Sequence, residues 1–287
     1  MVFTCRFSMP CGGTTSMQRQ VKGLRFAVCA FLLSALALGC LPALAQAATV
    51  AKLKISFTPD ELGAQISIHT VVNYSNTDGG LPSPVTGFDL HLPPSLELIG
   101  STLGLANCQP AALLANGPSG CSPNARIGSG SATVAVPFGP EIASETASVE
   151  VLLGPPLAEQ VGVLLFTESR SPVFAQLVFP GILLIGTGAE SLNTNFPPTP
   201  TLPGAPDAAV LNMTLTVGPE HLTYYKRVHG KRVAFRPTGV SLPSKCPRGG
   251  FLFVTDMRFE DGTSLRVPYA VPCPHARART RARQRHV

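Results

Sequence analysis

The chain has 287 residues, a formal net charge of +6, 13% charged residues, 28 prolines and 27 glycines. So much proline and glycine excludes a mainly helical protein, because both residues break helices and are common in the turns of β-rich folds. The positive charge lies at the two ends: four basic residues and no acidic ones before residue 48, and five arginines after Pro274. The chain between them is slightly acidic, at −3, which predicts no broad basic surface and no nucleic-acid partner.

Residues 1–47 are predicted to be a secretory signal peptide. Arg19, Lys22 and Arg25 precede an uncharged apolar run, Phe26–Leu38, and a small-residue pattern, Ala-Gln-Ala, ends at Ala47. This order of charged, apolar and small residues is typical of an exported precursor. It predicts cleavage between Ala47 and Ala48 and a mature chain that is secreted or held in the extracellular cell envelope.

Two other interpretations of this leader stay open. Translation could start at Met17, because the sixteen residues before it make an unusually long charged region for a signal peptide. Cys40 could instead be acylated after cleavage to make a lipoprotein, although Leu38 is larger than the residues usual near such a cysteine. Both interpretations still predict export.

The predicted cleavage removes four of the eight cysteines. Those that remain are Cys108, Cys121, Cys246 and Cys273. An even number of cysteines in an exported chain normally forms disulfides, and four cysteines allow three connectivities. We favour the local pairs, Cys108 with Cys121 and Cys246 with Cys273, because each pair brackets one turn-rich or hairpin segment. Metal binding is disfavoured, because no C-x-x-C motif or suitably spaced histidine accompanies either pair.

At least six strands are predicted before residue 170 from alternating or continuous apolar residues. They are Leu53–Phe57, Ala64–Tyr74, Phe88–Leu92, Ala132–Val136, Val149–Val151 and Val161–Phe166. The stretch between Cys108 and Cys121 is rich in glycine, asparagine and proline, which predicts a loop. Gly128–Ser131 is predicted to be a flexible lead into the fourth strand.

The uncharged segment Ser171–Ala189 must be weighed as a membrane span. Several prolines and glycines interrupt it, whereas a spanning helix usually needs about 20 mainly apolar residues. Two buried strands, Val173–Phe179 and Ile182–Ile185, explain the segment better. The mature chain is therefore expected to contain no transmembrane span.

Residues 193–206 contain five prolines, which predicts an extended, polyproline-like segment outside the sheets. This segment is the one candidate boundary in the mature chain, and it either links two domains or crosses between the sheets of one. We expect an all-β, antiparallel β-sandwich in which residues 48–192 form the main part. Residues 207–274 then supply hairpins packed on the same fold.

The last predicted hairpin can be placed in register. A three-residue loop, Glu260–Gly262, brings apolar residues opposite one another, and a one-residue slip loses the whole set. The pairs are Phe251 with Val271, Phe253 with Tyr269, Thr255 with Val267, and Met257 with Leu265. Asp256 then meets Arg266 on the other face. A shorter hairpin, Leu222–Phe235, is predicted to turn at His229-Gly230.

Two strings resemble recurrent motifs of uncharacterised secreted β-rich proteins of high-GC Gram-positive bacteria. One is CSPNARIGSGSATV, from Cys121, which fits Cys-Pro/Ser-x-Asn/Ser-x-x-Ile-Gly. The other, from Cys246, is a terminal CPxGGF hairpin closed by a second Cys-Pro, and it is the most specific part. Ser122 departs from the proline that is common after the first motif cysteine. The resemblance covers most of the mature chain, implies an extracellular β fold and supplies no catalytic or binding residue.

The sequence offers little chemistry. It has no G-x-S-x-G, H-E-x-x-H, P-loop, dinucleotide or calcium-loop motif, and no cofactor or metal is predicted. His69 and His91 lie in predicted strands, where acid–base work with a carboxylate such as Asp89 competes with an ordinary surface role.

The C-terminal tail, residues 275–287, is predicted to be disordered because its arginines repel one another and have no apolar partners. They are Arg277, Arg279, Arg281, Arg283 and Arg285. A basic exported tail could contact an anionic cell-envelope polymer or lipid headgroups.

We expect a secreted, non-enzymatic structural or interaction protein of the cell envelope. One alternative is an extracellular hydrolase or carbohydrate-active protein whose carboxylates come from separate strands. Another is a binder of an apolar ligand held between sheets near Phe174–Ile185. A pocket with convergent ionisable groups would favour the enzyme, and a fully packed interior would exclude the apolar ligand.

Overall fold

A computed structural model describes residues 48–96, 101–138, 140–157, 159–185, 190–199 and 207–276. The predicted signal peptide with Ala47, and the tail arginines Arg277–Arg285, lie outside these residues. Within the described residues, twelve strands form one sheet and two more form a separate hairpin. The prediction of an antiparallel, β-rich fold is confirmed.

The strands follow the chain with few helical interruptions. They are β1 (Thr49–Thr58), β2 (Gln65–Asn76), β3 (Val85–His91), β4 (Arg126–Phe138), β5 (Glu141–Leu153), β6 (Val161–Ser169), β7 (Ala175–Leu184), β8 (Ser191–Asn195), β9 (Ala209–Val217), β10 (Tyr224–Val228), β11 (Lys231–Phe235), β12 (Val240–Ser241), β13 (Phe251–Phe259) and β14 (Ser264–Val271). A short helix, α1 (Pro110–Asn116), and two 3-10 turns, Gly117–Gly120 and Pro123–Ala125, come between β3 and β4. None of the described helices is long and apolar enough to span a membrane.

The main sheet nearly closes on itself, and the expected two-sheet sandwich is not confirmed. Its strand order is β1-β2-β9-β4-β5-β6-β7-β8-β3-β13-β14, with β12 added beside β2. Because this path holds an odd number of antiparallel strands, β1 and β14 run in the same direction where they meet. There Leu62 N–H donates to the His275 carbonyl (2.9 Å) and His275 N–H donates to the Asp60 carbonyl (3.2 Å). We call this parallel contact the seam.

Most connecting segments that carry structure of their own lie at one end of the sheet, where β1 and β14 finish, here called the loop end. The segment Ser101–Cys108 crosses it: Gly104 N–H donates to the Tyr224 hydroxyl (2.9 Å) and Cys108 N–H to the Leu153 carbonyl (2.8 Å). Helix α1 follows directly. The β10–β11 hairpin is rooted at the same end through Tyr224, whose hydroxyl also donates to the Arg126 carbonyl.

The predicted register of the β13–β14 hairpin is confirmed at every pair. Met257 lies opposite Leu265 and Asp256 lies opposite Arg266. Gly262 has a φ of +80°, the left-handed conformation that the three-residue loop requires. Phe251, Phe253, Met257 and Phe259 all point inward and are buried. The inward rings pack on β1, with the Phe57 and Phe251 centroids 5.4 Å apart, edge to face.

The predicted loop between Cys108 and Cys121 instead contains helix α1. Pro110 fits the first helical turn, where its missing N–H costs nothing, and Ala111–Leu114 are strong helix formers. Leu113 is fully buried beside Phe166, and Gly117 ends the helix with a φ of +61°. Tertiary burial of one leucine therefore stabilises a helix too short to form alone.

Three further predictions need correction in detail. Val173–Phe179 and Ile182–Ile185 are not two strands, because one strand, β7 (Ala175–Leu184), takes in most of both segments. Pro180 is tolerated because β8 pairs with β7 only from Gly181 onward. On that side of β7, no described strand is present to receive a hydrogen bond from residue 180. Asn193–Asn195 belong to β8 rather than to a polyproline-like segment, and the strands on both sides of 196–208 lie in the same sheet.

Gly128–Ser131 is not a flexible lead but part of β4, paired with β5 on one side and with β9 on the other. A Cβ atom at Gly128 would overlap the Thr216 carbonyl oxygen, and one at Gly130 would overlap the Thr214 carbonyl oxygen. Glycine at both positions therefore allows β4 to approach β9 closely. The sequence pattern GSGS reflects strand packing and not mobility.

Candidate functional site

The interior of the sheet is not completely filled. A cavity of about 300 Å³ lies inside it, bordered by inward-facing side chains from β1 to β9, β12 and β13 and by the Ser101–Leu103 segment. It lies between two packed clusters, one that includes Phe253 and Met257 and another that includes Val163 and Leu165. The sheet thus surrounds a space of ligand size.

Small residues on β4 help to leave this space open. Gly128, Gly130 and Ala132 lie opposite Val217, Leu215 and Met213 of β9, all three of which line the cavity. Directly opposed residues share one face of a sheet, so these three positions of β4 face the interior and carry at most a methyl group. A strand with leucine or valine at these positions would fill much of the interior.

The lining of the cavity is almost entirely aliphatic and aromatic. Four of the lining residues carry a hydroxyl group: Thr70, Tyr74, Ser101 and Thr255. Among the described residues that line the cavity, none has a charged side chain. The site is therefore suited to apolar matter and not to acid–base chemistry.

Thr255 is the most informative polar residue of the lining. It lies on β13 between Phe253 and Met257, is 5% exposed, and its Oγ1 has no hydrogen-bond partner among the described residues. An unpaired buried hydroxyl costs about 1 to 3 kcal/mol, so most such groups have a partner. The Thr255 hydroxyl is available to a ligand group that enters the cavity.

Tyr74, on β2, lines the same cavity beside the ring of Phe259, with the ring centroids 6.4 Å apart. Burial raises the pKa of the Tyr74 hydroxyl, so this group stays protonated in any physiological medium. It can therefore donate a hydrogen bond but carries no charge. Tyr74 and Thr255 thus each place a neutral hydroxyl group in a largely apolar wall.

The four predicted cysteines form the two local pairs. Cys108 and Cys121 lie at disulfide distance with their Cα atoms 5.2 Å apart, and Cys246 and Cys273 do so at 5.7 Å. The first pair fixes the α1 segment against Leu152, and the second closes the base of the β13–β14 hairpin. Neither pair lines the cavity.

The histidines considered for acid–base work lie on the outer face of the sheet. His69 Nε2 is 2.9 Å from a Glu220 carboxylate oxygen, and His91 Nε2 is 3.1 Å from one of Asp256. Asp89 is not the partner of His91, because its carboxylate binds Arg258 and Asn193. In the described part of the chain, no three His, Cys, Asp or Glu side chains are grouped as metal ligands.

The remaining predicted site residues fall at or beyond the ends of the described chain. Ala48 is described and exposed, and its N–H donates to Thr77 Oγ1 at 3.0 Å. Its cleavage partner Ala47 and the five tail arginines lie outside the described residues. The structure therefore leaves the predicted cleavage site and the predicted tail contact as predictions.

Comparisons with family models, curated proteins and solved structures gave no match to this chain.

Two features of the molecule have only weak signals in the sequence. Thr255 is the only polar residue in an otherwise apolar inward series on β13, and that exception was the available signal. The second is the run YYKRVHGKRVAFR, Tyr224–Arg236, in which five cations occur without an acidic residue. Its charge is hidden when the whole body is summed, because acidic residues elsewhere cancel it.

Proposed function

We propose that this chain is an exported binding protein that holds an uncharged, apolar small molecule inside its nearly closed sheet. The observation that carries the proposal is the apolar cavity of about 300 Å³. Ligand pockets are typically about 300 to 1,000 Å³, mostly apolar, with a few placed polar groups. Export is supported by the predicted leader and by two cysteine pairs at disulfide distance.

The cavity volume limits the size of the ligand. Each water occupies ~30 Å³ in the liquid, so the cavity has room for about ten non-hydrogen atoms. Its wall limits the chemistry: a buried ionised carboxylate without a partner would cost several kcal/mol. The proposed ligand class is a small alcohol, ketone or ester with an aliphatic or terpenoid body, held by one hydrogen bond to Thr255.

The hydrolase alternative lacks support of this kind. No described carboxylate or histidine lines the cavity. His69 and His91, each beside a carboxylate, lie on the outer face of the sheet. A general acid or base must reach the substrate within hydrogen-bond distance.

A matched pair of ligands tests the proposal. Decanol and decanoate have the same chain length and differ in charge near pH 7. We expect decanol to bind the oxidised mature chain at one site and decanoate to bind at least tenfold more weakly, as measured by isothermal titration calorimetry. Absence of saturable decanol binding would refute the proposal, and equal binding of decanoate would refute the uncharged ligand class.

A substitution tests the role of Thr255. Thr255→Val keeps the shape of the side chain but removes the hydroxyl, so decanol should bind about threefold to tenfold more weakly, while decane binding should not weaken. Thr146→Val is the matched control, because Thr146 is exposed on β5. Leu215→Trp should abolish binding of both molecules by filling the space opposite Gly130. A decanol affinity that Thr255→Val leaves unchanged would remove Thr255 from the site.

A further inference from the structure

The β10–β11 hairpin carries an unusual concentration of unpaired positive charge. Its exposed cations are Lys226, Arg227, Lys231 and Arg232, followed by Arg236. No acidic residue occurs from His221 to Arg236, and none of the five cations forms an ion pair with a described carboxylate. Four arginines on, or directly after, strands of the main sheet differ, because each of them faces a carboxylate. These are Arg126, Arg170, Arg258 and Arg266.

The hairpin keeps this charge at a cost to its own stability. Arg227 lies directly opposite Arg232, and like charges in that position destabilise a strand pair. Stacking partly offsets the repulsion: the Arg232 guanidinium lies 3.7 Å from the Tyr225 ring centroid, and Lys226 Nζ lies 5.4 Å from that of Phe235. A cation array held on aromatic rings without anions is arranged to meet an external anion.

The root of the hairpin is firmly fixed. Tyr224 is fully buried, and its hydroxyl bonds to both Gly104 and Arg126. The Asn124 side-chain amide donates to the Tyr225 carbonyl, and its oxygen accepts from the Tyr225 N–H, both at 2.8 Å. A two-stranded hairpin is marginally stable alone, so these contacts hold the cations in one orientation relative to the sheet.

The hairpin is also linked to the cavity. Leu103 lines the cavity, and the next residue, Gly104, donates its N–H to Tyr224 at the hairpin root. Two apolar side chains stand among the cations near the tip, Val228 at 37% exposed and Val233 at 40% exposed. Cations mixed with exposed apolar side chains fit a lipid surface better than they fit a soluble polyanion.

We propose that the β10–β11 hairpin docks this protein on a membrane surface that carries anionic phospholipid headgroups. Docking would bring the loop end, where Ser101–Leu103 border the cavity, against the lipid from which an apolar ligand is taken or to which it is released. That second role rests on the proposed function, whereas docking itself does not. Each cation near an anionic surface strengthens binding about fivefold, less at high salt.

The test uses the mature full chain and two kinds of vesicle. One is phosphatidylcholine alone, and the other contains about one phosphatidylglycerol in three lipids. Co-sedimentation should show binding to the anionic vesicles only, weakening as salt is raised. Arg227→Gln with Arg232→Gln should reduce the affinity roughly 25-fold without lowering stability, because the variant also removes the repulsive pair. Lys52→Gln with Lys54→Gln is the matched control, since both lysines are exposed on β1.

The tail arginines need a separate variant in this experiment, because they are also basic and could bind the vesicles. Replacing all five from Arg277 to Arg285 by glutamine should leave the effect of the hairpin variant intact. Docking by the hairpin is refuted if only the tail variant loses vesicle binding, or if the Lys52 and Lys54 control loses as much as the hairpin variant. It is also refuted if the protein binds soluble polyphosphate but not anionic vesicles. Vesicle binding without decanol binding would support docking and refute the cavity as a ligand site.

Discussion

At the residue scale, the pair formed by Arg126 and Glu150 gives a pH-dependent prediction. The Arg126 guanidinium donates to a Glu150 oxygen at 2.6 Å, and the Glu150 side chain is only 17% exposed. Burial raises the pKa of Glu150, and the charge of Arg126 acts in the opposite direction. Arg126 therefore supports a carboxylate that the protein interior would otherwise disfavour.

We expect Arg126→Met to lower the free energy of unfolding by about 1 to 3 kcal/mol near pH 7. The loss should be much smaller near pH 4, because Glu150, with its raised pKa, is then protonated and no longer needs a cation. Urea denaturation at the two pH values measures the difference. An equal loss at both would mean that the arginine stem stabilises by packing, not by charge.

Arg170→Met is the control for this prediction. Arg170 is 80% exposed, and its partner Glu168 has a lowered pKa, caused first by the hydrogen bond from Gln176 and then by Arg170. Because Gln176 remains in the variant and solvent screens the pair, stability should change little at either pH.

At this scale the sequence predicts which way a side chain points, but not whether its polar group finds a hydrogen-bond partner. Alternation along β13 predicts that Thr255 points inward with Phe253 and Met257, and it does. Whether its hydroxyl has a partner depends on β3 and on the strands across the cavity. Those neighbours are brought there by topology, which local periodicity does not encode.

At the element scale, the pair Cys246–Cys273 should stabilise the β13–β14 hairpin. It closes a loop of sequence separation 27, and cross-linking restricts the unfolded chain by about 3 to 4 kcal/mol. Replacing both cysteines by serine should lower the free energy of unfolding by that amount in urea denaturation. The parent protein treated with a reductant should lose at least as much, since reduction opens both pairs.

The Cys108–Cys121 double variant is the comparison for that measurement. This pair closes a loop of sequence separation 13, so the loss in free energy of unfolding should be smaller by about 0.6 kcal/mol on loop length alone. Intact-mass analysis must first show that the parent protein contains no free thiol. Four free thiols in exported protein would contradict both the predicted pairing and the oxidising compartment.

The elements that could be predicted from the sequence are those with strictly local signals. The β13–β14 register follows from alternation plus a turn glycine, Gly262, and it is confirmed. Helix α1 was missed because seven residues carry too little periodicity, and burial of Leu113 decides its conformation. The hairpin at His229-Gly230 was predicted, but its charge was averaged away with the acidic residues of the body.

At the scale of the whole molecule, sheet closure could not be predicted. A sandwich and a nearly closed sheet both need strands with one apolar face, so alternation does not distinguish them. The difference lies in the approach of β1 to β14, which are distant in the chain, and residues 60–62 are hydrogen-bonded to His275 beside it. The cavity follows from closure together with the small inward residues Gly128, Gly130 and Ala132 on β4.

The contribution of the seam to sheet closure can be tested with two truncated chains. A chain ending at Ala276 keeps both hydrogen bonds of His275, whereas a chain ending at Pro274 loses them. Two such bonds contribute about 1 to 3 kcal/mol, so only the shorter chain should open readily between β1 and β14. Hydrogen exchange at the Leu62 amide, which donates to His275, should accelerate at least fivefold in the shorter chain and stay unchanged in the longer one.

Opening the sheet between β1 and β14 should also change ligand retention, because Leu53 of β1 lines the cavity. The chain ending at Pro274 should release bound decanol faster than the chain ending at Ala276, while both keep the same far-ultraviolet circular dichroism. Faster exchange without faster release would mean that the ligand does not leave between β1 and β14 and that the seam only stabilises the sheet. Equal exchange in the two chains would show that apolar packing between β1 and β14 closes the sheet without the His275 hydrogen bonds.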